Sequence, residues 1–357
     1  MNFMTIVFAI LIFSFLIFIH ELGHFIAAKL SGVQVNEFAM FMGPALVKWK
    51  RGETQYSIRC IPIGGYCAME GENEDTDNPR SFQKAAWWKR LCILVAGSFM
   101  NMVAGVLIMV MIYLPTQYII TPTIESFESY STVTGEQGLQ VGDEIYMVDG
   151  ERVYVQSDFS LILSLNPGEV HDLVVIRNGE KVTLNDFEMK KHQVTDEDGN
   201  TYMLYGMNFT LNDAPTVGQK LAYGFANAVD SVRNVRLSLQ MLVSGQVSFR
   251  EIGGPVMIVD QMSQVANASP TWVDALLNML YFGGFIAINL AIMNMLPIPA
   301  LDGGRVFFLL VITAYEAIFK KKVDPKYEGY IHGIGMILLL ALMGVILFKD
   351  VFTIFTR

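Results

Sequence analysis

The sequence predicts a polytopic α-helical membrane protein with four transmembrane helices, a membrane-associated β-sheet on one side and a soluble β-rich domain on the other. Three observations carry this. Of the 357 residues 52% are hydrophobic and only 17% charged, a balance too apolar for an ordinary soluble enzyme. Four stretches, residues 1–19, 91–114, 275–301 and 331–348, stay free of charge for about the 20 residues that a helix needs to cross a bilayer. Between the second and third of them the chain becomes polar and rich in turn signals.

Each span has its own grounds. The first has no basic leader and no small-residue cleavage site and runs directly into "HELGH", so it is expected to remain as a span rather than be removed as a signal. Lysine and arginine resist translocation. The segment from Lys29 to Arg90 carries Lys29, Lys48, Lys50, Arg51, Arg59, Arg80, Lys84, Lys89 and Arg90, and is therefore expected in the cytoplasm. A second basic cluster, Lys320, Lys321, Lys322 and Lys326, lies two crossings further on and falls on the same side. The N-terminus, residues 115–274 and the C-terminus are then extracytoplasmic. A formal charge of −9 argues against a nucleic-acid partner. Cys60, Cys67 and Cys92 sit in or beside the predicted cytoplasmic loop, where thiols stay reduced, so no disulfide framework follows.

The predicted division is residues 1–30 for the first helix with HELGH, 31–89 for a cytoplasmic or re-entrant β region, and 90–115 for the second helix. A soluble domain at 116–212 is followed by an amphipathic helix and linker at 213–274. A broken third helix covers 275–315, a cytoplasmic loop 316–329 and the fourth helix 330–350. Within the β region, "FAMFMGPALVKWKRGETQYSIRCIPIGGYCAMEGE" alternates in short runs between Gly-Glu and Gly-Gly turns. A small sheet is expected, and a strand through Tyr56 and Ile58 could offer an edge to an extended peptide; the alternative is a sheet that only caps helix ends. The stretches "GEQGLQVGDEIYMVDGERV" and "HDLVVIRNGEKVTL" place β runs between Gly-Asp, Asp-Gly and Asn-Gly turns, and this resembles a PDZ domain of the bacterial type. Beyond it Leu221, Phe225, Val229, Val232, Val235, Leu239 and Leu242 recur at helical spacing. That helix is expected either on the outer leaflet or packed against the soluble domain.

Chemistry enters with "IFIHELGHFIAAK". On a helix His20 and His24 lie one turn apart on one face, so both imidazoles can reach one metal ion while Glu21 points to where a bound water would sit. Ionisable groups inside a membrane helix are costly unless paired or functional; the alternative is that these three are simply hydrogen-bonded to neighbouring helices. A hydrolytic zinc needs three protein ligands and an open position. His171 and His192 fall in the predicted outer domain. In "NMLPIPALDGGRVFF" Pro297 and Pro299 interrupt the helix and Asp302 interrupts the apolar run, at a depth that brings it near His20 and His24 on the cytoplasmic side. Broken helix at membrane depth is tolerated where it lines a cavity. Asn294 either donates a hydrogen bond to a substrate carbonyl or satisfies the kink.

"HELGH" paired with "NMLPIPALDGG", the intervening PDZ-like region, "GETQYSIRCIPIGGY" and "GSFMN" together resemble the site-2 protease family of intramembrane zinc metalloproteases, in its bacterial single-PDZ form. The resemblance spans nearly the whole chain. It implies zinc as cofactor, His20, His24 and Asp302 as its ligands, Glu21 as the catalytic acid/base, and Asn294 as a substrate contact. Pro297, Pro299, Tyr56, Ile58, Gly43 and Asn101 join Asn294 as candidate substrate-binding positions. Two departures stand out: Ser98 replaces proline in the family's Gly-Pro-x-x-Asn box, and the first glycine of its Gly-x-Gly loop is missing before Gly43.

The expected reaction is hydrolysis of a peptide bond in or beside a transmembrane segment, at a bacterial cell membrane. The resemblance implies membrane-anchored anti-sigma factors, remnant signal peptides or pheromone precursors as substrates, and a C-terminal peptide as a possible ligand of the PDZ-like domain. A metal-free membrane scaffold and a metal transporter are the rival classes. The first leaves the His-Glu-Asp convergence unexplained; the second would string polar groups along a path rather than gather them at one depth.

Overall fold

The computed structural model describes residues 3–72, 76–135, 138–195, 199–245, 253–321 and 323–355. Met1 and Asn2 of the first predicted span, Glu136 and Gln137 of the turn-rich stretch, and Lys322 of the second basic cluster lie outside the described residues. The chain forms two units, Met1–Ile108 with Asn234–Arg357, and Met109–Arg233.

In the first unit, α1 (Phe3–Ser31) carries no charge before Glu21 and does not stop there. The charge-free run ends at residue 19 but the helix does not, because an ionisable group interrupts hydropathy without interrupting helical hydrogen bonding. The helix ends where Gly32 takes a φ of +81° and the Val33 N–H donates to the Ala28 carbonyl at 3.0 Å. Strands β1 (Val35–Arg51) and β2 (Thr54–Met69) follow, longer than the short runs predicted from alternation. Repeated register shifts fold each one back on itself, so residues 37–40 pair with 65–68 on one side and with 55–58 on the other. Phe41 and Gly43, both at positive φ, make the bend in β1. Lys29 and Arg80 both pair with Glu53 in the tight turn, and α2 (Trp87–Tyr113) then begins.

In the second unit β3 (Ile119–Phe127), β4 (Glu144–Val148) and β5 (Glu151–Arg152) precede α3 (Gln156–Leu165), followed by β6 (Val170–Arg177), β7 (Glu180–Glu188), β8 (His192–Thr195), β9 (Thr201–Leu204) and β10 (Met207–Asn212). The main sheet runs β10-β3-β4-β6-β7 with β5 on β4, while β8 and β9 form a separate hairpin. Ile124, Ile145, Phe159, Ile162, Leu173 and Val175 supply much of the core between sheet and α3. The Asp149-Gly150 turn is tied down by Asp149, which accepts from the Asp172 N–H at 2.9 Å and from His171 Nδ1 at 2.8 Å.

Helix α4 (Val217–Val243) carries the predicted apolar stripe, of which Val235 is buried and Val229 and Leu239 are half-buried. Leu221, Phe225, Val232 and Leu242 are exposed, whereas Asn227, Asp230, Ser231 and Arg233 are buried. Arg233 pairs with Asp158 at the start of α3 and with Asp230, and Asp158 also accepts from the Tyr154 and Val155 N–H groups.

The first unit resumes with α5 (Pro255–Ala268), α6 (Trp272–Asn294), α7 (Asp302–Phe319) and α8 (Pro325–Phe355). The fully buried Asp350 of α8 accepts from the Gly254 and Met257 N–H groups at 3.3 Å, filling the vacant acceptor positions at the start of α5. Thr271 caps α6 by accepting from the Asp274 N–H. Apolar residues of α1, α5 and α6 pack together through Ile12, Leu16, Met262, Met279 and Ile286. The predicted 316–329 loop is shorter, since α7 runs to Phe319 and α8 starts at Pro325. Among the described residues α1, α2, α6 and α8 are long and apolar enough to cross a membrane.

Candidate metal centre

The helical spacing of α1 sets His20 and His24 side by side, and the start of α7 brings Asp302 to them. Nε2 of His20 lies 3.1 Å from Asp302 Oδ2, Nε2 of His24 lies 3.3 Å from the same oxygen, and the two Nε2 atoms are 3.3 Å apart. Among the described residues this is the one group of three or more His, Cys, Asp or Glu side chains with converging ligand atoms.

The surroundings fix how each imidazole presents itself. His24 Nδ1–H donates to the Ile93 carbonyl of α2 at 2.8 Å, so that in the neutral ring Nε2 carries the lone pair and faces Asp302. His20 Nδ1 faces the Asn101 carboxamide at 3.4 Å, and Asn101 Oδ1 has no other partner. Exchanging the two isosteric ends of that amide lets Nδ1–H donate to Oδ1 and frees Nε2 of His20 in the same way. Asn101 is 1% exposed, so it stands behind His20 rather than on an open surface. Asp302 Oδ2 is buried and receives no hydrogen bond. Glu21 is within electrostatic reach of His20, His24 and Asp302, and it flanks Gly65 of β2, where a Cβ would meet Glu21 Cγ at 3.3 Å.

Three glycines make this possible. A Cβ on Gly97 would lie 2.3 Å from His24 Nε2 and 2.8 Å from His20 Cε1, so only glycine leaves room for both rings. Gly303 and Gly304 would collide with the carbonyls of Met295 and Ile298, so the interhelical segment 295–301 folds down against the first turn of α7.

The sequence comparisons decide the family. The pattern of peptidase family M50 matches residues 8–342. The chain belongs to peptidase family M50. Among its relatives are proteins provisionally named zinc metalloproteases in Clostridium acetobutylicum, 38% identical over 98% of both chains, and in Clostridium perfringens, 34% identical over 98% of both. The regulator of sigma-W protease RasP of Bacillus subtilis is 28% identical over 98% of this chain and 99% of its own. As a member of family M50 the protein is a zinc metalloendopeptidase of the site-2 type, and its cofactor is zinc. This answers the choice between enzyme, metal-free scaffold and metal transporter in favour of the enzyme.

The remaining predicted positions in this M50 chain are spread around the cluster. Asn294 ends α6 and is half-buried; Pro297 is exposed and Pro299 half-buried in the segment before Asp302. The Gly43 carbonyl accepts from Arg59. Tyr56 and Ile58 differ from expectation. Tyr56 pairs with Phe38 and Trp49, and Ile58 with Met40 and Val47, so both are interior to the folded-back sheet. Residues 65–69 pair on one side only among the described residues, and form its edge beside Glu21. Sequence reading missed Gly97 as a space-maker, the Ile93 carbonyl, and Arg305, which pairs with Glu72 just past β2. A glycine inside an apolar helix costs about 1 kcal/mol relative to alanine, so Gly97 carries its own signal; a backbone carbonyl carries none.

Proposed function

We propose that this protein hydrolyses peptide bonds within or beside the transmembrane segments of single-span membrane proteins, at a zinc ion held by His20, His24 and Asp302, with Glu21 as acid/base. The observation that carries the reading is the triangle of 3.1, 3.3 and 3.3 Å between His20 Nε2, His24 Nε2 and Asp302 Oδ2. Tetrahedral zinc with bonds of about 2.0–2.1 Å sets its ligands about 3.3 Å apart. The donor set agrees with that size. With Nδ1–H held by the Ile93 carbonyl, the neutral His24 ring offers its Nε2 lone pair beside a buried carboxylate oxygen, the donor set that a zinc ion takes.

Bound there, zinc supplies Lewis acidity that polarises the scissile carbonyl and brings the pKa of a coordinated water towards neutrality. Glu21 takes the proton of the attacking water and passes it to the leaving amine. Asn294 is assigned to donate to the substrate carbonyl as it gains charge. Helical amides are shielded by their own hydrogen bonds, so the substrate must unwind locally, and pairing with the edge at residues 65–69 gives its freed backbone groups new partners. This moves the substrate strand away from Tyr56 and Ile58.

Membrane-anchored anti-sigma factors are the substrate class favoured here, supported by the sigma-W name of the B. subtilis relative; remnant signal peptides and pheromone precursors share the same chemistry of a short, already trimmed span. In this reading the basic segment 29–90 is cytoplasmic, the zinc lies near that face of a bacterial cell membrane, and the second unit is an extracytoplasmic PDZ domain that hinders substrates with bulky outer portions. A groove of about 430 Å³ in that unit, lined by Gln156, Phe159, Lys191, Tyr205 and Phe209, favours one further role. Lys191 supplies the charge that a newly cut C-terminal carboxylate would need. Metal analysis of wild type beside His24→Ala, run together with cleavage of a panel of single-span peptides, tests the reading. Zinc loss and lost cleavage should coincide; a metal-loaded, active His24→Ala would refute it.

A further inference from the structure

The segment before Asp302 has an unusual corner. Ala300 has a φ of +81°, a left-handed conformation that a non-glycine residue adopts only when its surroundings impose it. Most nearby amides are satisfied locally: Ile298 N–H donates to Leu296 O, Leu301 N–H to Ile298 O, and Gly304 N–H to Leu301 O. Ala300 is different. Its N–H donates to Nδ1 of His332 on α8, at 3.0 Å.

His332 is placed for this and little else. It is 8% exposed and is the only buried residue between positions 331 and 340 of α8. Its ring packs edge-on to Phe308 of α7 with centroids 5.6 Å apart. Accepting at Nδ1 puts the proton of the neutral ring on Nε2, and that nitrogen is buried with no partner. A leucine would fill the same space without an orphaned polar atom, so packing alone does not account for an imidazole here. One turn along α8, a Cβ on Gly335 would lie 2.5 Å from Pro299 Cβ and 2.9 Å from its carbonyl carbon. Gly335 thus receives Pro299 while His332 holds Ala300, and two consecutive residues of the corner are gripped from one helix face.

We propose that His332 is a positioning residue for the reaction: by accepting the Ala300 N–H from α8 it locks the left-handed corner two residues ahead of Asp302, and so keeps the Asp302 carboxylate at the separation from His20 and His24 that a shared metal ion requires. The inference rests on the reading of those three residues as zinc ligands.

The test uses the full-length protein in detergent with His332→Leu, which removes the acceptor, His332→Asn, whose Oδ1 falls near the position of Nδ1, and His332→Gln, whose amide falls near Nε2 instead. Zinc affinity is read by chelator competition on the resting protein, coordination geometry by the visible spectrum after cobalt substitution, and turnover on a single-span peptide. His332→Leu should bind zinc about tenfold or more weakly, alter the cobalt spectrum and lower kcat with KM within about twofold. His332→Asn should recover the zinc affinity and the spectrum, and His332→Gln should not. Wild-type zinc affinity and spectrum in His332→Leu overturn the proposal, as does an asparagine variant no better than the leucine one. Should the leucine variant fail to fold, an asparagine variant that does not outperform glutamine overturns it equally. Asp302→Ala separates the two levels. Normal zinc in Asp302→Ala refutes the ligand reading, whereas zinc lost there but kept in His332→Leu refutes only the role of His332.

Discussion

A methyl group on Gly97 would stand 2.3 Å from Nε2 of His24, closer than any real carbon contact, and the histidine cannot retreat because its Nδ1 is held by Ile93. Gly97→Ala should therefore displace the imidazole or the helix behind it and weaken zinc binding by about 100-fold, the upper range for lost supporting contacts. Zinc retained through chelator competition in that variant would show that α2 does not set the position of His24.

Glu21→Gln should keep zinc at wild-type stoichiometry and lower kcat about 100-fold or more, because the amide cannot carry a proton while the ligands are untouched. The comparison is made on a single-span substrate with metal content measured on the same preparation. Turnover within tenfold of wild type would move the proton carrier elsewhere.

Gly65→Val tests the edge beside Glu21. The added Cβ would meet the Ala39 carbonyl at 3.1 Å, Ile17 at 3.2 Å and Glu21 Cγ at 3.3 Å, and the branched methyls take up space that an extended substrate would use. Cleavage should fall about tenfold or more with zinc unchanged. Substrates carrying glycine or proline near the scissile bond should be cut faster than a uniform leucine helix, and equal rates would contradict a substrate that must unwind.

Glu53 gives a pH-dependent signature in the turn between β1 and β2. Hydrogen bonds from Arg80 and then Lys29 hold its carboxyl down at about 2, whereas an unfolded glutamate titrates near about 4.3. A depressed carboxylate stabilises the folded state above the unfolded value and loses that contribution as pH falls toward the folded one. The melting temperature of wild type should exceed that of Glu53→Gln at pH 6, and the difference should close between about pH 4.5 and 2. A difference that does not change with pH would assign the turn's anchoring to packing instead.

The parts of this architecture that sequence reveals are those written within one element. His20, Glu21 and His24 are read from a single helical repeat, and Pro297, Pro299 and Asp302 from one broken apolar run. Alternation around Tyr56 and Ile58 signals strand but not which side of the strand is covered, since the folding back of β1 and β2 depends on the bend at Phe41 and Gly43. The stripe from Leu221 to Leu242 signals a helix, but the pairing of Asp158 of α3 with Arg233 of α4, 75 positions apart, is a contact that no periodicity within the helix encodes. His332 and Ala300 meet across 32 positions through a backbone amide, which no side-chain pattern encodes.

The zinc stoichiometry of purified Asp302→Ala, determined beside wild type and Glu21→Gln, tests the ligand set itself. Removing Asp302 takes away the oxygen that lies 3.1 Å from His20 Nε2 and 3.3 Å from His24 Nε2, and two imidazoles alone make a weak zinc site. About one zinc per chain is expected in wild type and Glu21→Gln, and close to none in Asp302→Ala after dialysis against a mild chelator. A full zinc complement in Asp302→Ala would rule Asp302 out as a ligand and place the third ligand elsewhere in the chain.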